Sequence, residues 1–129
     1  MGLYLLDTNI LIDIYSARKS QTFIHKIVNE SQSRLGISII TLAEFFAGGG
    51  TSEHGLLKRW LGSGELSVHL LDDIAIAMSA GVLKQKENLL FADALILAHA
   101  ISLKACLVSN DIDFCKKAKR HVKTVNPLD

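Results

Sequence analysis

Asp7, Glu44, Asp93 and Asp111 are the residues of this chain whose type and placement could do chemistry. Asp7 ends an apolar run, Tyr4-Leu5-Leu6, abruptly and stands just before a helical pattern that begins with Ile10, Leu11 and Ile14. Glu44 lies in TLAEFFAG, on a short helix that follows the apolar run LGISII. Asp93 lies in FADALILAHA with Ile96 and Leu97 at i+3 and i+4, on an apolar helix face with little else polar. Asp111 comes three residues after the apolar run 105–108. Burying an unpaired carboxylate costs several kcal/mol or forces it to take up a proton.

Each acid also has an ordinary structural reading. Asp7 or Thr8 can cap the helix that follows. Glu44 can face solvent, and Asp93 can sit in a first helical turn where the dipole favours it. Asp111 can close an Asx-turn or cap a helix in the sequence SND. In a parallel sheet, however, strand ends that carry helix starts share one edge, so all four acids could converge. Carboxylates side by side raise one another's pKa and need a compensating charge. No Lys or Arg lies within these motifs, so a hard divalent cation, Mg²⁺ or Mn²⁺, is the expected partner. One or two ions would leave positions for water and phosphate oxygens, which makes metal-assisted phosphodiester hydrolysis the natural chemistry. The five histidines are scattered singly and give no zinc spacing.

The elements that must position these acids alternate between strand and helix. Strands are predicted at residues 4–6, 35–40, 66–71, 105–108 and 123–125. Helices are predicted after Thr8, over 20–33 (apolar stripe Phe23, Ile24, Ile27, Val28), over 41–48 and over 53–61. A long helix opened by Asp72 and Asp73 runs to about Glu87, with Ile74, Ala77, Met78 and Val82 facing inward. A further helix over 91–103 is apolar nearly all round and therefore buried between layers, and a short basic helix follows Asp111. This pattern predicts a single three-layer α/β/α domain over residues 1–129, built on a parallel sheet of about five strands.

Composition excludes several classes. No uncharged apolar run reaches the ~18 residues a membrane span needs, and the start lacks the basic region of a signal peptide. The run Gly48-Gly49-Gly50 has no GxxxxGK[ST] spacing and reads as a helix stop, not a phosphate loop. Two cysteines, Cys106 and Cys115, are too few for a disulfide framework, so a reducing, cytoplasmic compartment is expected. A net charge of +1 does not mark a nucleic-acid binder, yet Lys116, Lys117, Lys119 and Arg120 cluster just beyond Asp111. They could contact phosphates or form a solvated helix face.

The segments LLDTNILID, TLAEFFAG, FADALILAHA and LVSNDIDF, in that order and spacing, resemble the PIN domain family, and within it the VapC-type toxin ribonucleases. The resemblance covers essentially the full length. It implies a PIN-like fold and a metal-dependent endoribonuclease that leaves a 5′-phosphate and a 3′-hydroxyl. Matched by position, Asp7, Glu44, Asp93 and Asp111 correspond to the acidic quartet that holds Mg²⁺ or Mn²⁺. Asn9 and Ser109 match the polar residues that orient the quartet or a water, while Asp113 is either a further acid of the site or a turn residue. The resemblance also implies an RNA substrate, a homodimer, and a small VapB-like antitoxin that covers the active groove in a hetero-oligomer. Leu56, Leu57, Trp60 and Leu61 form either a clip for an apolar antitoxin helix or ordinary core. A housekeeping RNA-processing nuclease and a catalytically silent PIN-like scaffold are the alternatives. A receiver domain fits poorly because Asp7 stands alone after its strand. A dehalogenase-type phosphatase fits poorly because Asp7-Thr8-Asn9 is not DxD.

Overall fold

The computed structural model describes residues 2–16, 18–30, 32–48 and 51–128, with the side chain of Thr51 left aside. Its strands are β1 (Gly2–Leu6), β2 (Ser33–Ser38), β3 (Leu66–His69), β4 (Cys106–Val108) and β5 (Thr124–Val125). Its helices are α1 (Thr8–Tyr15), α2 (Gln21–Val28), α3 (Ile39–Ala47), α4 (Thr51–Gly62), α5 (Ile74–Glu87), α6 (Phe91–Leu103) and α7 (Ile112–Ala118). The strands form one sheet in the order β3-β2-β1-β4-β5, and every pairing is parallel. From β1 the chain builds outward through β2 to β3, then returns to add β4 and β5 on the other side. Strand order therefore reverses between β1 and β4, where open α/β sheets form their ligand crevice.

Apolar residues cover both sheet faces, as a parallel sheet requires. Leu3, Leu5 and Leu107 pack with Ile76, Leu83, Ile96 and Phe114 from α5, α6 and α7 on one face. Leu6, Ile37 and Val108 pack with Ile10, Ile24, Phe45 and Leu57 from α1, α2, α3 and α4 on the other. The result is the expected α/β/α layering.

Several boundaries differ from those predicted. The second helix stops at Val28, well short of residue 33, because Ser33 already belongs to β2. Ser31 lies outside the described residues. β2 ends at Ser38 rather than residue 40: the Ser38 hydroxyl caps α3 by accepting from the Ile40 N–H at 3.2 Å. The same hydroxyl meets Nδ1 of the buried His99 on α6 at 2.9 Å, tying the start of α3 to the middle of α6. Asp73 caps α5 as expected, accepting from the Ala75 N–H at 2.9 Å. Gly48 ends α3 in an extended conformation, whereas Gly49 and Gly50 of the predicted stop lie outside the described residues.

The largest correction concerns α5. Ile74, Met78 and Val82 point outward at 82%, 69% and 66% exposure, and Ala77 is exposed as well. Ile76, Ala80, Leu83 and Glu87 face the core instead. Apolar residues surround this helix on all sides, so periodicity leaves its rotation undetermined. Packing against α6 decides it.

Candidate metal site at the sheet's carboxyl edge

β1 and β4 deliver the centre of the site. Leu6 lies opposite Val108, and the Asp7 N–H extends the ladder by donating to the Val108 carbonyl at 2.8 Å. The residues that follow leave the sheet side by side. Ser109 Oγ donates to Asp7 Oδ2 at 2.8 Å, and Asn9 Nδ2 donates to the same oxygen at 3.2 Å. Asn9 also reaches Ser109 Oγ at 3.2 Å and accepts from the Asn110 N–H at 3.1 Å through Oδ1. Asn9 and Ser109 thus hold Asp7 and stitch the β1 exit to the β4 exit. The Asp111 N–H donates to Ser109 Oγ at 3.2 Å, which draws Asp111 into the same network.

The capping readings of Asp7 and Asp111 hold alongside this network. Asp7 Oδ1 accepts from the Thr8 N–H at 2.8 Å, and Asp111 Oδ1 accepts from the Phe114 N–H at 3.1 Å. Each carboxylate caps one helix, which fixes its direction while leaving lone pairs free. Glu44 is exposed on α3, where Thr8 Oγ1 donates to its Oε1 at 2.5 Å. Sequence reasoning weighed Thr8 only as a cap, and its link to Glu44 was missed. Asp93 stands in the first turn of α6, partly buried.

The charges of neighbouring acids act on Asp7 and Asp93. Asp7 is 4% exposed, and its pKa is raised from 3.8 to about 6. Burial is the largest cause; hydrogen bonds from Ser109 and Thr8 oppose it, and the charges of Glu44 and Asp111 add to it. Asp93 is likewise raised from 3.8 to about 6, again by burial first and then by the charges of Asp7, Asp111 and Glu44. Desolvation thus outweighs the mutual repulsion that sequence reasoning put first. One cation counters it: the Lys117 charge lowers Asp93. That lysine falls outside the four motifs, so an expectation built on the motifs alone overlooked it.

The donor set is all oxygen and strongly acidic, which suits a hard divalent cation. Among the described residues, no three His, Cys, Asp or Glu side chains gather tightly enough to hold one ion between them. The arrangement therefore suits an ion of the Mg²⁺ kind, which takes one or two carboxylates and keeps several waters.

The remaining predicted residues divide sharply. Asp113 lines a pocket of about 400 Å³ with Asp93, Asp111 and Lys117, yet its exposed carboxylate pairs with Lys117 Nζ at 3.2 Å. Lys117 also donates to the Asn88 carbonyl at 3.1 Å. Arg120 donates to Glu87, a carboxylate only 6% exposed. Lys117 and Arg120 are thus each engaged by a neighbour, although the Arg120 side chain stays 63% exposed. Lys116 and Lys119 remain exposed. Of the four apolar residues considered as a clip, Leu57 is fully buried core and cannot meet a partner, whereas Leu56 is 40% exposed. Trp60 and Leu61 are partly buried against the same core. Asp13, to which sequence reasoning gave no role, is 8% exposed and accepts from the Ser20 N–H at 2.6 Å, a structural task.

Comparison with known proteins agrees with this fold. VapBC2 from Rickettsia felis, solved bound to a DNA fragment from its promoter, superposes with a TM-score of 0.76 at 23% identity over 96% of this chain and 98% of that one. A toxin–antitoxin complex from Klebsiella pneumoniae gives 0.71 at 27% identity over 96% and 97%. VapBC-1 from nontypeable Haemophilus influenzae gives 0.77 at 20% identity over 98% and 99%. No curated protein is similar enough to match. The sequence profile described as the PIN domain matches residues 4–120, nearly the whole length, and the chain belongs to the PIN domain family.

Proposed function

We propose that this chain is a Mg²⁺- or Mn²⁺-dependent endoribonuclease of VapC type, the toxin of a toxin–antitoxin pair. The observation that supports the proposal is that Asp7 and Asp111 follow the adjacent strands β1 and β4 where strand order reverses, with the charges of Glu44 and Asp111 bearing on Asp7 and those of Asp7, Glu44 and Asp111 on Asp93. Family membership adds to it, since PIN domains are generally nucleases.

In this reading the four carboxylates would share the ion, one or two of them directly and the others through its waters, with Asn9 and Ser109 keeping Asp7 aimed. A bound divalent ion supplies a water of lowered pKa and neutralises charge that builds on the phosphate. Asp113 tethers Lys117 at the rim of the site, and Lys116 and Lys119 face the solvent where an RNA backbone would lie. The decisive experiment is RNA cleavage with Mg²⁺ or Mn²⁺ by wild type, by Asp93→Asn and by wild type in chelator. Loss of cleavage in both altered samples is expected; cleavage undiminished by either treatment removes the metal mechanism.

The partners follow from two surfaces. Tyr15 lines both an apolar cavity of about 260 Å³, with Ile24, Val28 and Trp60, and a second of about 210 Å³ that reaches Glu44. An apolar antitoxin segment lying along this trough would cover the acidic site. Trp60→Ala should then weaken antitoxin binding while the isolated chain keeps its melting temperature; equal loss of both would leave Trp60 as core alone. The outward stripe Ile74, Met78 and Val82 on α5 is the proposed homodimer face, since contiguous exposed apolar patches mark interaction sites. No helix among the described residues is long and apolar enough to cross a membrane. A cytoplasmic location belongs to the same proposal.

A further inference from the structure

The two acids carried by different helices, Asp93 on α6 and Asp111 at the cap of α7, have no hydrogen bond that joins them directly among those described. Something else must set their separation. Asp93 begins three residues into α6, and α6 follows α5 after only Asn88, Leu89 and Leu90. That turn is tightly made: Asn88 is left-handed at φ 53°, and the Leu89 N–H donates to the Lys84 carbonyl at 3.1 Å. Its position therefore passes stiffly to Asp93.

Three side chains from α7 and the turn after it grip this connection. Lys117 Nζ donates to the Asn88 carbonyl at 3.1 Å. Arg120 Nη1 donates to Glu87 Oε1, and His121 Nε2 donates to Glu87 Oε2 at 2.6 Å. Both oxygens of a 6% exposed carboxylate are thereby engaged by donors from one element. The helix between this grip and Asp111 spans seven residues, about 10 Å at ~1.5 Å per residue.

We infer that Glu87, with Arg120, His121 and Lys117, is a clasp that positions Asp93 against Asp111, and that Glu87 is a positioning residue for the metal site. The inference rests on the metal-site reading above. Misplacement of about 1 Å at a reacting centre can cost a hundredfold, and loss of outer supports of metal ligands commonly costs ten- to a hundredfold in metal affinity. Glu87 lies outside the four acidic motifs, and its hydrogen bonds go to Arg120 and His121.

The test is titration of the purified full chain with Mn²⁺, read by the EPR signal of free Mn²⁺, without RNA. Wild type should bind, Glu87→Ala should bind about tenfold more weakly while still folded by circular dichroism, and Glu87→Gln should recover most of the affinity. The amide keeps the shape and an acceptor for Arg120, so recovery separates position from charge. If Glu87→Ala melts below the assay temperature, Arg120→Met carries the same comparison, because the Arg120 side chain is 63% exposed. Wild-type binding with unweakened Glu87→Ala, or unweakened Arg120→Met in its place, overturns the clasp and leaves the metal site standing. Wild type that leaves the Mn²⁺ signal unchanged overturns the metal site and the clasp with it.

Discussion

Two groups of buried acids in this molecule have opposite electrostatic fates. Glu87, at the end of α5, meets Arg120 and His121. The His121 hydrogen bond, opposed by burial and reinforced by the Arg120 charge, holds the Glu87 carboxyl below its ordinary value. Asp7 and Asp93, at the carboxyl edge of the sheet, meet other acids and are pushed up to about 6. Burial is common to both regions, so burial alone does not mark function. What differs is the company each acid keeps. Removing the partner of a buried charge is strongly destabilising; Glu87 has its partners, whereas Asp7 and Asp93 lie within the field of other acids.

Substitution should separate the two regions most strongly through cleavage. Asp7→Asn is expected to reduce RNA cleavage at least about a hundredfold, since metal-borne charge stabilisation is worth several kcal/mol. Asp13→Ala, on the helix that Asp7 caps and also buried, should instead cost about 1–3 kcal/mol in denaturant unfolding by stranding the Ser20 N–H, with the cleavage of the folded fraction retained. Comparable loss of cleavage in both would erase the distinction.

Stability in chelator should move in opposite directions. Glu87→Ala is expected to lower the melting temperature. Asp93→Asn should raise stability by about 1 kcal/mol near neutral pH, a figure discounted for its partial exposure, because the amide avoids a disfavoured charge. A melting temperature that drops in Asp93→Asn would count against the picture of unpaired acids.

The pH dependence carries the same contrast. For Asp7 and Asp93 the folded pKa lies above the ordinary 3.8, so the folded state holds more protons between 3.8 and about 6. Metal-free stability from these groups therefore falls as pH rises through that window. Glu87 runs the other way: its contribution is present above its ordinary 4.5 and is lost as pH falls toward its depressed value. Melting in chelator should be higher at about pH 5 than at about pH 7.5, and added Mn²⁺ should shrink the gap. The smallest effects belong to the surface. Lys116→Ala and Lys119→Ala should each reduce the salt slope of RNA binding by about 0.7–1, and a catalytically inactive Asp93→Asn background allows the titration.

Much of the site could be read from the chain alone, because the signals are local. A strand that ends on a carboxylate is visible in LLDTN, and an apolar helix interrupted by one acid is visible in FADALILAHA. Alternating strands and helices imply a parallel sheet, and its sense places all strand ends on one edge. The amino acids by themselves thus determined the layering and which acids could meet.

Tertiary packing decided what local pattern leaves degenerate. α5 is apolar on every side, so only its contact with α6 could choose Ile76 and Leu83 for the core and turn Met78 and Val82 outward. Arg120 and Lys117 look like their exposed basic neighbours in sequence, yet a carboxylate and a carbonyl some thirty residues earlier capture them. Asp13 and Asp7 are both acids of one short motif. They differ in role because Asp13 meets a backbone N–H seven residues on, whereas Asp7 meets Ser109, 102 residues away, and the charges of Glu44 and Asp111. Helix rotation and long-range capture depend on which surfaces come together in space, and periodicity along the chain carries no record of that.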